Sequence, residues 1–146
     1  MGIRRKGREV ALQTLYALSF QDIKSDSVQT AYLEIYQDTM LEIINDLNIK
    51  EGSKIINFSE DIMKNLIPRL EDIDQEIKKY SDNWSLENIA NVDKCILRIA
   101  VFELLYTDTP APVIMNEAIE ISKKFSSESS GKFINGILNA VTDGKK

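Results

Sequence analysis

Histidine is absent from the 146-residue sequence, and cysteine occurs once, as Cys95. Without histidine there is no imidazole general base, no Ser-His-Asp triad and no histidine metal ligand. A single cysteine excludes an intrachain disulfide and a thiolate metal cluster. Three prolines and six glycines are too few for a β protein that turns every ten residues, and they favour long helices. Apolar runs extend only a few residues, so none is of membrane-spanning length. No apolar stretch of signal-peptide length follows the basic N-terminus. A reducing, cytoplasmic setting is the expectation.

What is present is ordinary for a globular chain: 43% hydrophobic and 28% charged residues. The length suits one domain, residues 1–146, large enough to hold together without a disulfide or metal. The net charge is −5, but it is unevenly placed. Arg4, Arg5, Lys6 and Arg8 put four cations in the first eight residues, with no acid among them. The remaining 138 residues carry 14 basic and 23 acidic side chains. An acidic body with a basic arm (about residues 1–8) suits contact with a polyanion at one end, although a solvated tail has the same composition.

Helical periodicity runs through most of the chain. A first helix is expected to start around Arg4 to Gly7 and run to about Phe20, with Ala11, Leu12, Leu15 and Leu18 on its buried stripe. Arg4 and Arg8 continue that stripe, and Tyr16 sits at its edge together with Arg5 and Glu9. Ser25, Asp26 or Ser27 is a cap for the second helix, Val28 to Leu47. The third begins at Ser53, and Pro68 splits it near Ile67 from a fourth over Leu70, Ile73 and Ile77. Residues 81–91 form a connector in which Ser85 caps a short turn and Trp84 packs at a junction between the two halves. Asn91 to Tyr106 is apolar nearly all round, the mark of a central buried helix. Residues 107–112, with Pro110 and Pro112, read as an extended break before a helix from Val113 to Phe125. SSESS at 126–130 reads as a polar turn, Gly131 to Val141 as the last helix, and TDGKK as a frayed tail. The expected fold is all-α, about seven helices in two small bundles sharing the 91–106 helix.

No catalytic constellation emerges. Cys95 lies in the most apolar segment, where a thiol is a packing residue. Glu60/Asp61 and Glu71/Asp72 are sequence neighbours on solvated faces, without the apolar pocket that separates two carboxyl pKa values. No P-loop, GxGxxG or calcium-loop spacing occurs. The expectation is a binding protein without catalytic residues, metal or cofactor. Arginine forks and a lysine suit phosphates, and four such contacts give a log–log salt slope of about −2.8 on single-stranded RNA. Tyr16 is either a platform for an unstacked base, worth roughly 1–3 kcal/mol, or a rim residue of the core.

Four blocks carry a resemblance. RRKGREVALQTLYAL at 4–18, VDKCILRIAVFEL at 92–104, VIMNEAIEISKKF at 113–125 and GKFINGILNAV at 131–141 resemble, in order and spacing, the NusB family of bacterial transcription antitermination factors. The stretch 21–80 adds little. The resemblance implies an all-helical protein of two packed three-helix bundles. It implies a noncatalytic factor that binds the boxA element of nascent ribosomal RNA as a heterodimer with NusE, a small-subunit ribosomal protein, within the RNA polymerase antitermination complex. Both monomers and homodimers are compatible with it.

Carried over by position, Arg4, Arg5, Lys6 and Arg8 match the family's arginine-rich RNA-binding arm. Tyr16 matches an aromatic position near the RNA and partner surface, and Asp93 an acidic position at that surface. Lys132 and Phe133 match closing-helix positions implicated in RNA contact, although Phe133 also shares a stripe with the core residues Ile137 and Val141. Ser129 occupies the polar turn where the family often has an acid, so one negative charge is missing there. Arg98, Asn116, Glu117 and Asn135 match family motifs as structural hydrogen-bonding and capping residues. Two other readings remain. One is a helical protein–protein adaptor. The other is a stand-alone RNA-binding module related to those of RNA cytosine methyltransferases, without their methyl-donor domain.

Overall fold

A computed structural model describes residues 2–21, 27–81 and 86–145. The expectations for Ser25, Asp26, Trp84 and Ser85 fall outside these residues. The described residues form seven α-helices and two single-turn 3-10 helices, with no strand among them. They are α1 (Ile3–Leu18), α2 (Val28–Asp46), α3 (Lys54–Leu66), a 3-10 turn (Ile67–Arg69), α4 (Leu70–Tyr80), a 3-10 turn (Leu86–Asn88), α5 (Asn91–Tyr106), α6 (Ala111–Phe125) and α7 (Glu128–Lys145). The all-α expectation holds. The chain divides into two compact units, Met1–Leu70 and Glu71–Lys146.

In the first unit α1 packs against both α2 and α3. Val10, Ala11, Leu12, Leu15 and Leu18 are buried, as are Tyr32, Tyr36, Met40 and Ile44 of α2 and Ile62, Met63 and Leu66 of α3. Ser27 caps α2, its Oγ accepting the Thr30 N–H at 3.2 Å. The turn after α2 needs left-handed backbone at both ends, supplied by Asn48 (φ 56°) and Gly52 (φ 79°). Pro68 sits in the 3-10 turn between α3 and α4, where its missing N–H breaks the α ladder.

Gly7 brings α1 close to α3. Ser59 Oγ donates to the Gly7 carbonyl at 2.7 Å, and a Cβ on Gly7 would stand 2.6 Å from Phe58 Cδ1. Gly7→Ala should therefore destabilise the protein. The gain in helix propensity is about 1 kcal/mol, whereas overpacking a tight contact costs about 1–3 kcal/mol. Urea denaturation is expected to show a net loss of about 1–2 kcal/mol; an unchanged or raised midpoint would mean Phe58 moves aside freely.

In the second unit α6 and α7 pack on each other and on α5. Eleven of the sixteen residues of α5 are buried, from Asp93 to Leu104 with only Lys94 less enclosed. Arg98 reaches α4, where its Nε and Nη2 donate to the two Asp74 carboxylate oxygens at 2.8 Å each. Two boundaries differ from the sequence reading. α6 starts at Ala111, so Pro112 lies in its first turn, where a missing N–H and a fixed φ are tolerated. α7 begins at Glu128 and continues to Lys145. Ser127 Oγ accepts the Ser130 N–H at 3.1 Å, which turns part of the expected polar loop into a helix cap and first turn. At the other end the tail is helical, with Gly144 close against the Tyr80 hydroxyl.

Candidate nucleic-acid interface

The basic run is not one exposed arm. All four cations lie in the first turns of α1, so their directions are set by helix geometry. Arg4 is exposed, and Arg5 and Lys6 are partly exposed. Arg8 is only 3% exposed, with its guanidinium 5.3 Å over the Phe58 ring. Arg8, which the resemblance groups with the RNA-binding arm and the helical spacing puts on the continuation of the buried stripe, packs into the first unit. Lys6 Nζ lies 4.0 Å from the carboxylate of Glu9, itself buried.

Farther along α1 Tyr16 is 40% exposed, and Phe20, in the turn just after the helix, is 63% exposed. Their rings meet edge to face, 4.9 Å between centroids at 80°, a favourable aromatic geometry. Phe20 escaped the sequence reading, which placed it at the helix terminus. Its signal was the four-residue spacing from Tyr16, which brings two side chains together where a turn continues the helical path beyond Leu18. Arg5 lies on the same edge as Tyr16, about 16 Å earlier along the axis.

The remaining candidates belong to the second unit. Asp93, Ser129 and Phe133 meet in a cleft of about 400 Å³, together with Asn88, Ile89, Ala90 and Ser130. Asp93 is 7% exposed and accepts a hydrogen bond from Ser126 Oγ at 2.8 Å. Ser126 Oγ is also 2.9 Å from Ser130 Oγ, and Ser129 Oγ is 3.1 Å from Ser127 Oγ. This hydroxyl chain holds the start of α7 against α5 and fixes a carboxylate beside a half-buried aromatic ring. Phe133 is therefore neither wholly core nor wholly exposed.

Lys132 does not line that cleft. It belongs to a second one, of about 250 Å³, with Ile119, Lys123, Glu128, Gly131 and Asn135. Lys132 and Phe133, neighbours in sequence, serve different clefts because successive helical residues point about 100° apart. A larger cleft lined by Asp72, Gln75, Glu76, Lys78, Lys79, Leu105 and Tyr106 contains none of the predicted residues. Of the four motif residues read as structural, Arg98 forms the ion pair with Asp74, Asn135 lines the second cleft, Asn116 is exposed and Glu117 is half-buried.

Among the described residues no group of three acidic or cysteine side chains could hold a metal ion, and no helix is long and apolar enough to cross a membrane. Cys95 is buried, and desolvation pushes its thiol up to about 11, against smaller opposing effects of Arg98 and Lys94. At pH 8 only about one thiol in a thousand would be ionised, and only the thiolate attacks. A chromogenic disulfide reagent should label native protein negligibly over minutes and urea-unfolded protein at once. Rapid labelling of the native state would contradict the burial.

The NusB family model matches residues 5–143. The transcription antitermination protein NusB of Desulfitobacterium hafniense is 41% identical over 145 residues, covering 96% of this chain and 88% of that protein. The solved structure of T. maritima NusB is 29% identical with a TM-score of 0.76, covering 96% of this chain and 90% of that one. A crystal structure of the antitermination factors NusB and NusE in complex with dsRNA contains a chain of the same fold, at 23% identity and a TM-score of 0.80, covering 99% and 98%.

Proposed function

Because the chain belongs to the NusB family, we propose that it is a transcription antitermination factor that binds boxA RNA of nascent ribosomal transcripts together with NusE, in the cytoplasm and without catalysing a reaction. The near full-length family match carries this reading. The relative of the same fold that was solved with NusE and RNA supports it. So does the placement of solvent-accessible cations at the start of α1, and of an exposed aromatic pair at its end and in the following turn, in an otherwise acidic chain.

In this reading Arg4, Arg5 and Lys6 contact phosphates. Tyr16, with Phe20, offers an aromatic surface to a base or to the protein partner. In the second unit Lys132 contributes a cation, Phe133 a stacking surface, and Ser129 a hydroxyl where a carboxylate would repel phosphate. Asp93 contributes the acidic group at the partner surface. The RNA component gains from unstacked bases, which aromatic rings can hold and polar groups can read.

The test is a fluorescence-anisotropy titration of a short boxA RNA, with and without NusE, against a scrambled RNA at fixed salt. Tighter binding to boxA, strengthened by NusE, is expected. Equal weak binding to both RNAs, unchanged by NusE, would leave the basic turn as a nonspecific polyanion contact. Binding of NusE with no RNA binding at all would favour an adaptor.

A further inference from the structure

We propose that the cleft between α6 and α7 is a second RNA subsite, taking one unpaired nucleotide whose base presents hydrogen-bond donors on its Watson–Crick edge. This rests on the RNA-binding reading above and goes beyond it, because Lys123, Glu128 and Asn135 have no role there.

The argument starts from the lining: Ile119, Lys123, Glu128, Gly131, Lys132 and Asn135. Lys123 comes from the last turn of α6 and Lys132 from α7, so a lysine lines the cleft from each of its two helices. Lys123 Nζ is 3.3 Å from Glu120 Oε1. That exposed pair occupies one of three ammonium donors and is worth little in water, so it does not prevent a phosphate contact. Gly131 is buried and contributes no side chain, while Ile119 gives an apolar surface for a base or ribose face. Two cations alone would suit any anion. The carboxylate of Glu128 and the amide of Asn135 make the cleft selective. A carboxylate only accepts hydrogen bonds, so it favours a base edge with N–H donors and disfavours one fronted by carbonyls. Guanine presents two adjacent donors on that edge, whereas uracil places its single N–H between two carbonyls. At about 250 Å³ the cleft has room for one nucleotide.

Continuity strengthens the case. Glu128, Gly131, Lys132 and Asn135 line this cleft, and Ser129, Ser130 and Phe133 line the neighbouring one. The first two turns of α7 thus separate two clefts, and a single strand crossing them would set consecutive bases on either side.

The experiment measures boxA RNA binding by the full chain with NusE across a salt series. It compares wild type with Lys123→Gln, Lys124→Gln and Glu128→Gln, and repeats the titrations with RNAs carrying uridine at each position in turn. Lys124 is exposed, does not line the cleft and changes net charge equally, so it controls for long-range electrostatics. Lys123→Gln is expected to weaken binding about fivefold and flatten the log–log salt slope by about 0.7, one phosphate contact. Lys124→Gln should change affinity less than about twofold. One uridine substitution should weaken wild-type binding about tenfold, and Glu128→Gln should erase most of that penalty at that position only. If wild type binds boxA but Lys123→Gln matches Lys124→Gln, and Glu128→Gln leaves the uridine profile intact, the subsite is refuted while RNA binding stands. If wild type binds no RNA, both readings fall together. Circular dichroism of these surface variants confirms that each is folded.

Discussion

Neutralising Arg4, Arg5 and Lys6 together as glutamines should flatten the log–log salt dependence of RNA binding by about 2 and weaken binding roughly 10- to 100-fold near physiological salt. Thermal stability should fall by less than about 1 kcal/mol, because all three side chains retain solvent exposure and the Lys6 contact with the buried Glu9 carboxylate is a long one, at 4.0 Å. Arg8→Gln should behave in the opposite way. Its guanidinium is buried over Phe58, so the substitution removes a cation–π contact and packed alkyl surface. Stability should fall by about 1–2 kcal/mol, while the salt slope of the remaining folded protein stays within about 0.3 of wild type. The slopes and thermal midpoints of the two variants, measured side by side, decide the assignment. A large loss of slope in Arg8→Gln would return that residue to the RNA surface. An unchanged slope in the triple variant would remove the first turn of α1 from it.

Replacing Asp74 by alanine should cost about 3 kcal/mol of folding stability. Arg98 directs Nε and Nη2 at the two oxygens of Asp74, and the side chains are only 11% and 22% exposed. Removing the carboxylate strips a largely buried guanidinium of its bidentate partner, and breaking such a pair costs more than the pair itself contributes. For a chain of this size the thermal midpoint should fall by about 10 °C. Arg98→Met should be milder, since the charge it leaves unpaired is the Asp74 carboxylate, which at 22% exposure is the more solvated partner, and Met keeps the apolar packing. A thermal scan of Asp74→Ala, Arg98→Met and the double variant gives the coupling directly. Single variants that cost equally and add without coupling would show the bridge to be a surface pair in effect.

Much of the architecture was legible in the sequence because helices announce themselves locally. The apolar stripe of α1, the Pro68 interruption and the nearly all-apolar α5 each follow from spacing along a short segment. Boundaries set by single hydrogen bonds were less legible. SSESS is a polar run whether it loops or caps, and only the Ser127 contact to the Ser130 amide shows that α7 starts at Glu128. Pro112 carried a similar ambiguity, since proline suits both an extended connection and a first helical turn.

The candidate site divides along the same line. Residue identity and order alone specify the helical class, the basic cluster at the start of α1, the acidic remainder and the motif blocks that identify the family. What each candidate side chain faces comes from the packing of the helices. That packing turned Arg8 onto Phe58 and sank Asp93 beneath Ser126. It left Phe20 exposed beside Tyr16, and gave the neighbours Lys132 and Phe133 to different clefts. A helix's period fixes the angle between two side chains, but which neighbouring element covers that angle is a long-range packing outcome, and exposure follows from the cover.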